Sequence, residues 1–120
     1  MKISIKATNI EITPAIEQYL FYKLSKLEKY LDESESEALV DVEIGKTTEH
    51  HRHGQVFKAE INLVVPGQVM RRANIEGFDL YSAIVSARDE IVSQIKISQD
   101  KNTTMFRRGA RKIKDMMRGY

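Results

Sequence analysis

The sequence contains no cysteine and no tryptophan, and only two prolines and six glycines. Without cysteine there is no disulfide, no thiolate nucleophile and no cysteine-held metal. So little proline and glycine excludes a collagen-like or low-complexity chain. No apolar run approaches the roughly 20 residues that a bilayer-spanning helix needs. The opening MKISIKATNI alternates where a signal peptide would carry a continuous apolar stretch, so a cytoplasmic protein is expected. Catalytic signatures are missing too. There is no Walker-type glycine loop, no nucleophile elbow and no carboxylate in an apolar context that would raise its pKa for acid–base work. We therefore expect no enzymatic activity, no cofactor and no small-molecule substrate. The densest group of metal-ligand types is Glu49-His50-His51-Arg52-His53. Adjacent histidines on extended backbone point apart and Arg52 adds positive charge, so a polar surface loop is expected there and no metal.

The 120 residues suffice for one ordinary domain, and 42% hydrophobic with 30% charged residues gives a packed core. The net charge of +2 is unevenly divided. Residues 101–120 carry seven basic side chains against Asp115 alone, whereas the first 100 residues carry a balance of −4. A basic segment on an acidic body seeks phosphate or an acidic membrane surface, or is simply solvated.

Periodicity supplies the elements. Ile3, Ile5 and Ala7 alternate with Lys2, Ser4 and Lys6, the pattern of a strand with one buried face. Thr13 can cap a helix with Pro14 at its first position. Ile16, Leu20, Leu24, Leu27 and Leu31 then form the apolar stripe of about five helical turns. The acidic DESESE stretch ends it. Three strands follow, on Val40, Val42 and Ile44, on Phe57 to Val65, and on residues 69–76, the last two joined by Pro66-Gly67-Gln68. Arg71 shares a face with Ala73 and Ile75, which places it near a strand end where its guanidinium meets water. Asp79 can cap a second helix striped by Leu80, Ile84, Ala87, Ile91 and Ile95, fading near residue 100. The order β-α-β-β-β-α implies an α+β fold, with both helices on one face of a four-stranded sheet. The other face of the sheet is polar, and the layering resembles the double-stranded RNA-binding fold.

The helix surfaces hold the functional candidates. Off the leucine stripe lie Tyr19, Tyr22, Lys23, Lys26, Lys29 and Tyr30, and off the second stripe lie Tyr81, Arg88 and Lys96. If the helices pack side by side, these cations and rings share one surface. Lysines and arginines there would meet phosphates, and tyrosines would stack on unpaired bases.

Two segments carry a family resemblance. EITPAI followed by KLSKLEKY at residues 23–30 resembles the first helix of the ribosome hibernation promoting factors, also called ribosome-associated inhibitor or sigma-54 modulation proteins. GFDLYSAI at residues 77–84, with Gln94 beyond it, resembles the opening of that family's second helix. The resemblance covers residues 1 to about 101. It implies a non-enzymatic factor that docks in the neck of the small ribosomal subunit over the decoding region, blocking mRNA and tRNA sites and stopping translation. The implied partners are the small subunit, its 16S-type rRNA and ribosomal proteins near the neck. Lys23, Lys26 and Lys29 match basic family positions, Tyr81 the second-helix tyrosine and Asp79 the capping acid. Glu90 and Ser93 depart from the family's Lys and Arg, and Arg88 and Lys96 stand one turn away. At 120 residues the chain resembles a short form, without the ribosome-pairing domain of long members.

Two rival readings are a general double-stranded RNA-binding module and a dimerising interaction domain. The first is disfavoured because the second helix opens without a basic cluster. We divide the chain into a ribosome-binding domain, residues 1–101, and a basic tail, residues 102–120, expected to be disordered when free. In the tail, Arg107, Arg108, Arg111, Lys112 and Lys114 would neutralise rRNA phosphates along the mRNA path, and Phe106 would stack on a base. No membrane partner is expected.

Overall fold

A computed structural model describes residues 1–47 and 56–118, with side chains as far as Gln99. The order of elements is β1 (Lys2–Thr8), α1 (Pro14–Ser25), a 3-10 segment (Lys26–Tyr30), a short 3-10 turn (Glu33–Glu35), β2 (Leu39–Thr47), β3 (Val56–Val64), β4 (Arg71–Gly77) and α2 (Leu80–Arg118). The four strands form one sheet in the order β1-β2-β3-β4. β1 and β2 are parallel, so α1 is the crossover between them, and the other two pairs are antiparallel. This is the expected β-α-β-β-β-α architecture.

Local chemistry starts each element as the sequence implies. Thr13 Oγ1 accepts from the Ile16 N–H at 3.2 Å, with Pro14 opening α1. Asp79 does the same for α2, accepting from the Tyr81 N–H at 3.2 Å and from the Ser82 hydroxyl at 2.6 Å. The β3–β4 turn bonds Gln68 N–H to Val65 O at 3.0 Å, with Gly67 at φ 82°. Proline followed by a left-handed glycine is the pattern of a type II turn.

The core lies between the helices and one face of the sheet. Leu20, Leu24 and Leu27 meet Ile84, Ile91 and Ile95 above Val40, Val42, Ile44, Ile61 and Leu63, all buried. Burying each such side chain contributes about 1.5–3 kcal/mol. The opposite face carries Lys58, Glu60 and Asn62 on β3 and Arg72 on the edge strand β4. Glu60 is only 8% exposed, held by Arg72 at 2.7 Å and Lys58 at 3.3 Å.

Four details differ from the sequence reading. The first helix is not five α turns. It becomes 3-10 after Ser25, tightening as the chain turns into the extended Leu31 and using up its last carbonyls. β2 runs on through Lys46 and Thr47, paired with Phe57 and Val56, past the strand on Val40, Val42 and Ile44 read from the sequence. β4 begins at Arg71, leaving Val69 89% exposed and Met70 exposed in the turn. Arg71, at the strand end as expected, donates to Gln68 Oε1 at 3.2 Å.

Most consequential, α2 does not fade near residue 100 but continues as one helix to Arg118. Between residues 101 and 118 the costliest residue is Gly109, at about 1 kcal/mol, with smaller costs at Asn102, Thr103, Thr104 and Asp115, against many Lys, Arg and Met. The backbone therefore has no break at residue 101. The radius of gyration is 19.2 Å and the longest dimension 72 Å. A compact chain of this length would have a radius near 14 Å, so the end of α2 stands clear of the sheet. The Glu49–His53 group lies outside the described residues.

Candidate nucleic-acid interface

α1 and its 3-10 continuation lie beside α2, and the seam between them collects tyrosines and lysines from both. At one end the Tyr19 and Tyr81 rings meet edge to face, with centroids 4.6 Å apart. At the other end Lys96 Nζ lies 5.5 Å from the Tyr30 ring, and Gln99 Nε2 donates to the Tyr30 carbonyl at 3.0 Å. The helices thus run in the same direction, and Tyr81, Arg88 and Lys96 of α2 recur on the flank turned towards α1.

Each of the four candidate lysines among the described side chains is seated on a ring. Lys23 Nζ is 5.5 Å from the centroids of both Tyr19 and Tyr22, Lys26 Nζ is 4.6 Å from Tyr22, and Lys29 Nζ is 5.1 Å from Tyr30. Among the described residues, no carboxylate forms an ion pair with Lys23, Lys26, Lys29 or Lys96. An exposed cation–π contact is worth only about 0.5–1 kcal/mol, so it orients an ammonium without neutralising it. The seam therefore presents four oriented and uncompensated cations, with rings beside them. Tyr22 is 61% exposed and Tyr81 40%, which leaves ring faces accessible to a planar ligand. Such a surface can bind a phosphate chain and stack bases.

Not every sequence candidate joins this group equally. Arg88 lies on the seam flank, but its guanidinium bonds Asp89 through Nη2 at 2.9 Å and Nε at 3.2 Å. Glu90 accepts from Gln94, which also donates to the Arg72 carbonyl at 2.9 Å. These contacts turn Glu90 towards β4, so the acidic departure from the family pattern stays off the seam. Arg107, Arg108, Arg111, Lys112 and Lys114 all lie on the helical backbone of α2, beyond the described side chains. The structure joins to the lysines the three tyrosines already noted on the first helix, Tyr19, Tyr22 and Tyr30, and adds Gln99. The tyrosines were legible as rings interleaved with lysines at residues 19–30, whereas nothing marked Gln99.

Asp79 sets one boundary. The Ser82 hydroxyl bond holds its carboxyl below the usual carboxylate range, overcoming partial desolvation, and the Tyr81 and Ser82 N–H groups help. A fixed anion thus sits at the start of α2. The positive end of that helix is already answered, and a phosphate would be repelled there.

The chain is similar to known proteins over most of its length. The chain is 33% identical over 101 residues to the ribosome hibernation promoting factor of Klebsiella oxytoca, covering 84% of this chain and 96% of that protein. It is 28% identical over 107 residues to the ribosome hibernation promotion factor of Bacillus subtilis, covering 89% of this chain but spanning only 53% of that longer protein. Among solved structures, the N-terminal domain of Thermus thermophilus Protein Y superposes with a TM-score of 0.66 at 33% identity, covering 80% of this chain and 97% of that one. The family model for sigma 54 modulation protein / S30EA ribosomal protein matches residues 3–103. With that match across most of its length, and with two relatives at 33% identity, the chain belongs to the sigma 54 modulation protein / S30EA ribosomal protein family.

Proposed function

We propose that this protein is a ribosome hibernation factor that binds the small ribosomal subunit at the decoding region and closes the mRNA and tRNA sites. The observation that carries the reading is the row of lysines seated on tyrosines along the α1–α2 seam, uncompensated by carboxylates among the described residues. Lys23, Lys26, Lys29 and Lys96 contact rRNA phosphates, and Tyr81 and its neighbours pack against the sugar-base surface. Arg88 joins them by exchanging Asp89 for a phosphate. Arg107, Arg108, Arg111, Lys112 and Lys114 extend the same polarity along the mRNA path. Inhibition by occupancy needs no bond-making, no metal and no cofactor, and it operates in the cytoplasm, where ribosomes translate.

In this reading residues 1–101 are the ribosome-binding domain, and residues 102–120 gain tertiary support only on the ribosome. The last residue of α2 in the described core is Ile95. Gln99, which donates to the Tyr30 carbonyl, is the last described contact of α2 with the rest of the domain, and a helix exchanges with open chain wherever tertiary support ends. A general double-stranded RNA-binding module would carry its basic cluster at the start of α2, where this chain fixes Asp79 instead.

Sedimentation through a sucrose gradient tests the proposal. Wild-type protein should travel with the small subunit and whole ribosomes, and the variant Lys23→Glu/Lys26→Glu/Lys29→Glu should stay at the top with an unchanged circular dichroism spectrum. Wild-type protein that remains at the top with ribosomes present would refute it.

A further inference from the structure

Continuation of α2 to Arg118 gives residues 101–118 a helical register that a disordered tail would lack. At 3.6 residues per turn, Met105, Phe106, Ala110, Ile113, Met116 and Met117 fall within an arc of about 140°. Arg107, Arg108, Arg111, Lys112, Lys114 and Arg118 occupy the opposite arc, with Asp115 the only acid among them. The apolar arc is in phase with Ile84, Ile91 and Ile95, which cover the sheet. Interrupted by Ser98, Gln99 and Asn102, the stripe of α2 resumes at Met105, about 15 Å past Ile95, and runs for about 18 Å to Met117. Backbone positions and sequence alone establish this two-sided pattern.

Three kinds of occupant can be weighed by charge. A nucleic acid would satisfy the cationic arc and leave the apolar arc in water. A second copy would cover the apolar arc but bring together two segments of net charge +6. An anionic lipid interface satisfies both arcs at once, because its headgroups meet the cations and its acyl boundary takes the apolar side chains. No described helix is long and apolar enough to cross a membrane, which fits a helix that lies in the interface plane. We propose that residues 101–118 of α2 form an in-plane amphipathic anchor for anionic membrane surfaces, a partner that the sequence reading raised from charge alone and then set aside. The proposal stands independently of the ribosome reading, although the same cations serve both partners and the two would compete.

The test is flotation of the full chain with vesicles of equal parts phosphatidylglycerol and phosphatidylcholine, against vesicles of pure phosphatidylcholine. Binding should be more than about tenfold stronger to the anionic vesicles, since each surface-proximal cation adds to the attraction. Helical ellipticity should rise on binding. The variant Ile113→Asp/Met116→Asp should lose flotation while keeping the fold of residues 1–99 and any co-sedimentation with ribosomes. No flotation of wild-type protein would overturn the proposal. So would equal flotation of the Asp variant, which would reduce the effect to charge attraction alone. A concentration-dependent dimer in light scattering, abolished by the Asp variant, would assign the stripe to a second copy and overturn it as well.

Discussion

Replacing Lys23, Lys26 and Lys29 together by glutamine removes three positive charges while keeping side chains of similar length and polarity. The lysines contribute to stability only through exposed cation–π contacts, each about 0.5–1 kcal/mol, so the fold should survive with a modestly lower Tm. Binding is affected far more. Each lysine that neutralises a phosphate releases about 0.7–0.9 counterions, so the three together account for about 2.4 units of the slope of log affinity against log salt. Extrapolated from about 1 M to about 0.1 M salt, that slope corresponds to an affinity loss of about 250-fold, or about 3 kcal/mol. The assay is ribosome binding by the fluorescently labelled protein at five or more salt concentrations, with thermal unfolding of the same preparation as a control. An unchanged slope in a folded variant would show that these lysines do not meet phosphates. A uniform loss of affinity at every salt concentration would show that they act through shape or stacking, and the electrostatic argument would fail.

Further predictions concern stability. Ile84→Ala empties a fully buried position between the helices and should cost about 3 kcal/mol in urea unfolding. Gly67→Ala should cost about 1 kcal/mol in the same assay; nothing lies within 4 Å of the added Cβ, so only the positive φ is penalised. Burial pushes the Glu60 carboxyl up, but the Lys58 bond, the Arg72 charge and Asn62 together hold it below the ordinary value of 4.5. Its charge therefore stabilises the fold above that value and is lost as pH falls through the depressed one, so Glu60→Gln should cost about 1–2 kcal/mol at pH 7 and progressively less in acid, read from unfolding curves across pH.

The elements that were legible in the sequence are those where one periodicity met one clear boundary. Thr13-Pro14 and Asp79 announced both helix starts, and the inward residues of β2 and β3 followed a period of two without interruption. The misreadings fall where patterns were compatible with two geometries. Leu24, Leu27 and Leu31 repeat at intervals of three and four, which an α-helix and an α-helix tightened into 3-10 both satisfy. Lys46 and Thr47 extend β2 through backbone pairing to β3, and polarity gives no sign of that. Beyond residue 100, one-signed charge drew attention from the spacing of Met105, Ile113 and Met116, although those residues keep the helical period. At the seam, the lysines were legible as cations. Their seating on rings was not, because it depends on α1 and α2 lying side by side, as the Tyr19–Tyr81 and Lys96–Tyr30 contacts require.

The first 100 residues carry a net charge of −4, which at first sight argues against any anionic partner. The distribution of that charge removes the objection. On the open face of the sheet the acids stand among cations: Glu60 is paired with Lys58 and Arg72, and Glu43, which accepts from the Thr8 hydroxyl at 3.0 Å, lies opposite Lys6 in the β1–β2 register. Much of the remaining acidity is concentrated in the Asp32–Glu37 stretch, at the turn between the 3-10 segment and β2. On the helical layer the order is reversed, because tyrosines take the places beside Lys23, Lys26, Lys29 and Lys96 that carboxylates would otherwise hold. Screening in salt confines each charge to a radius of about 8 Å, so a phosphate at the seam responds to those lysines and hardly to the distant acids. The fold therefore separates a self-neutralised face from a cationic one, and net charge is a poor guide to what the second face can bind.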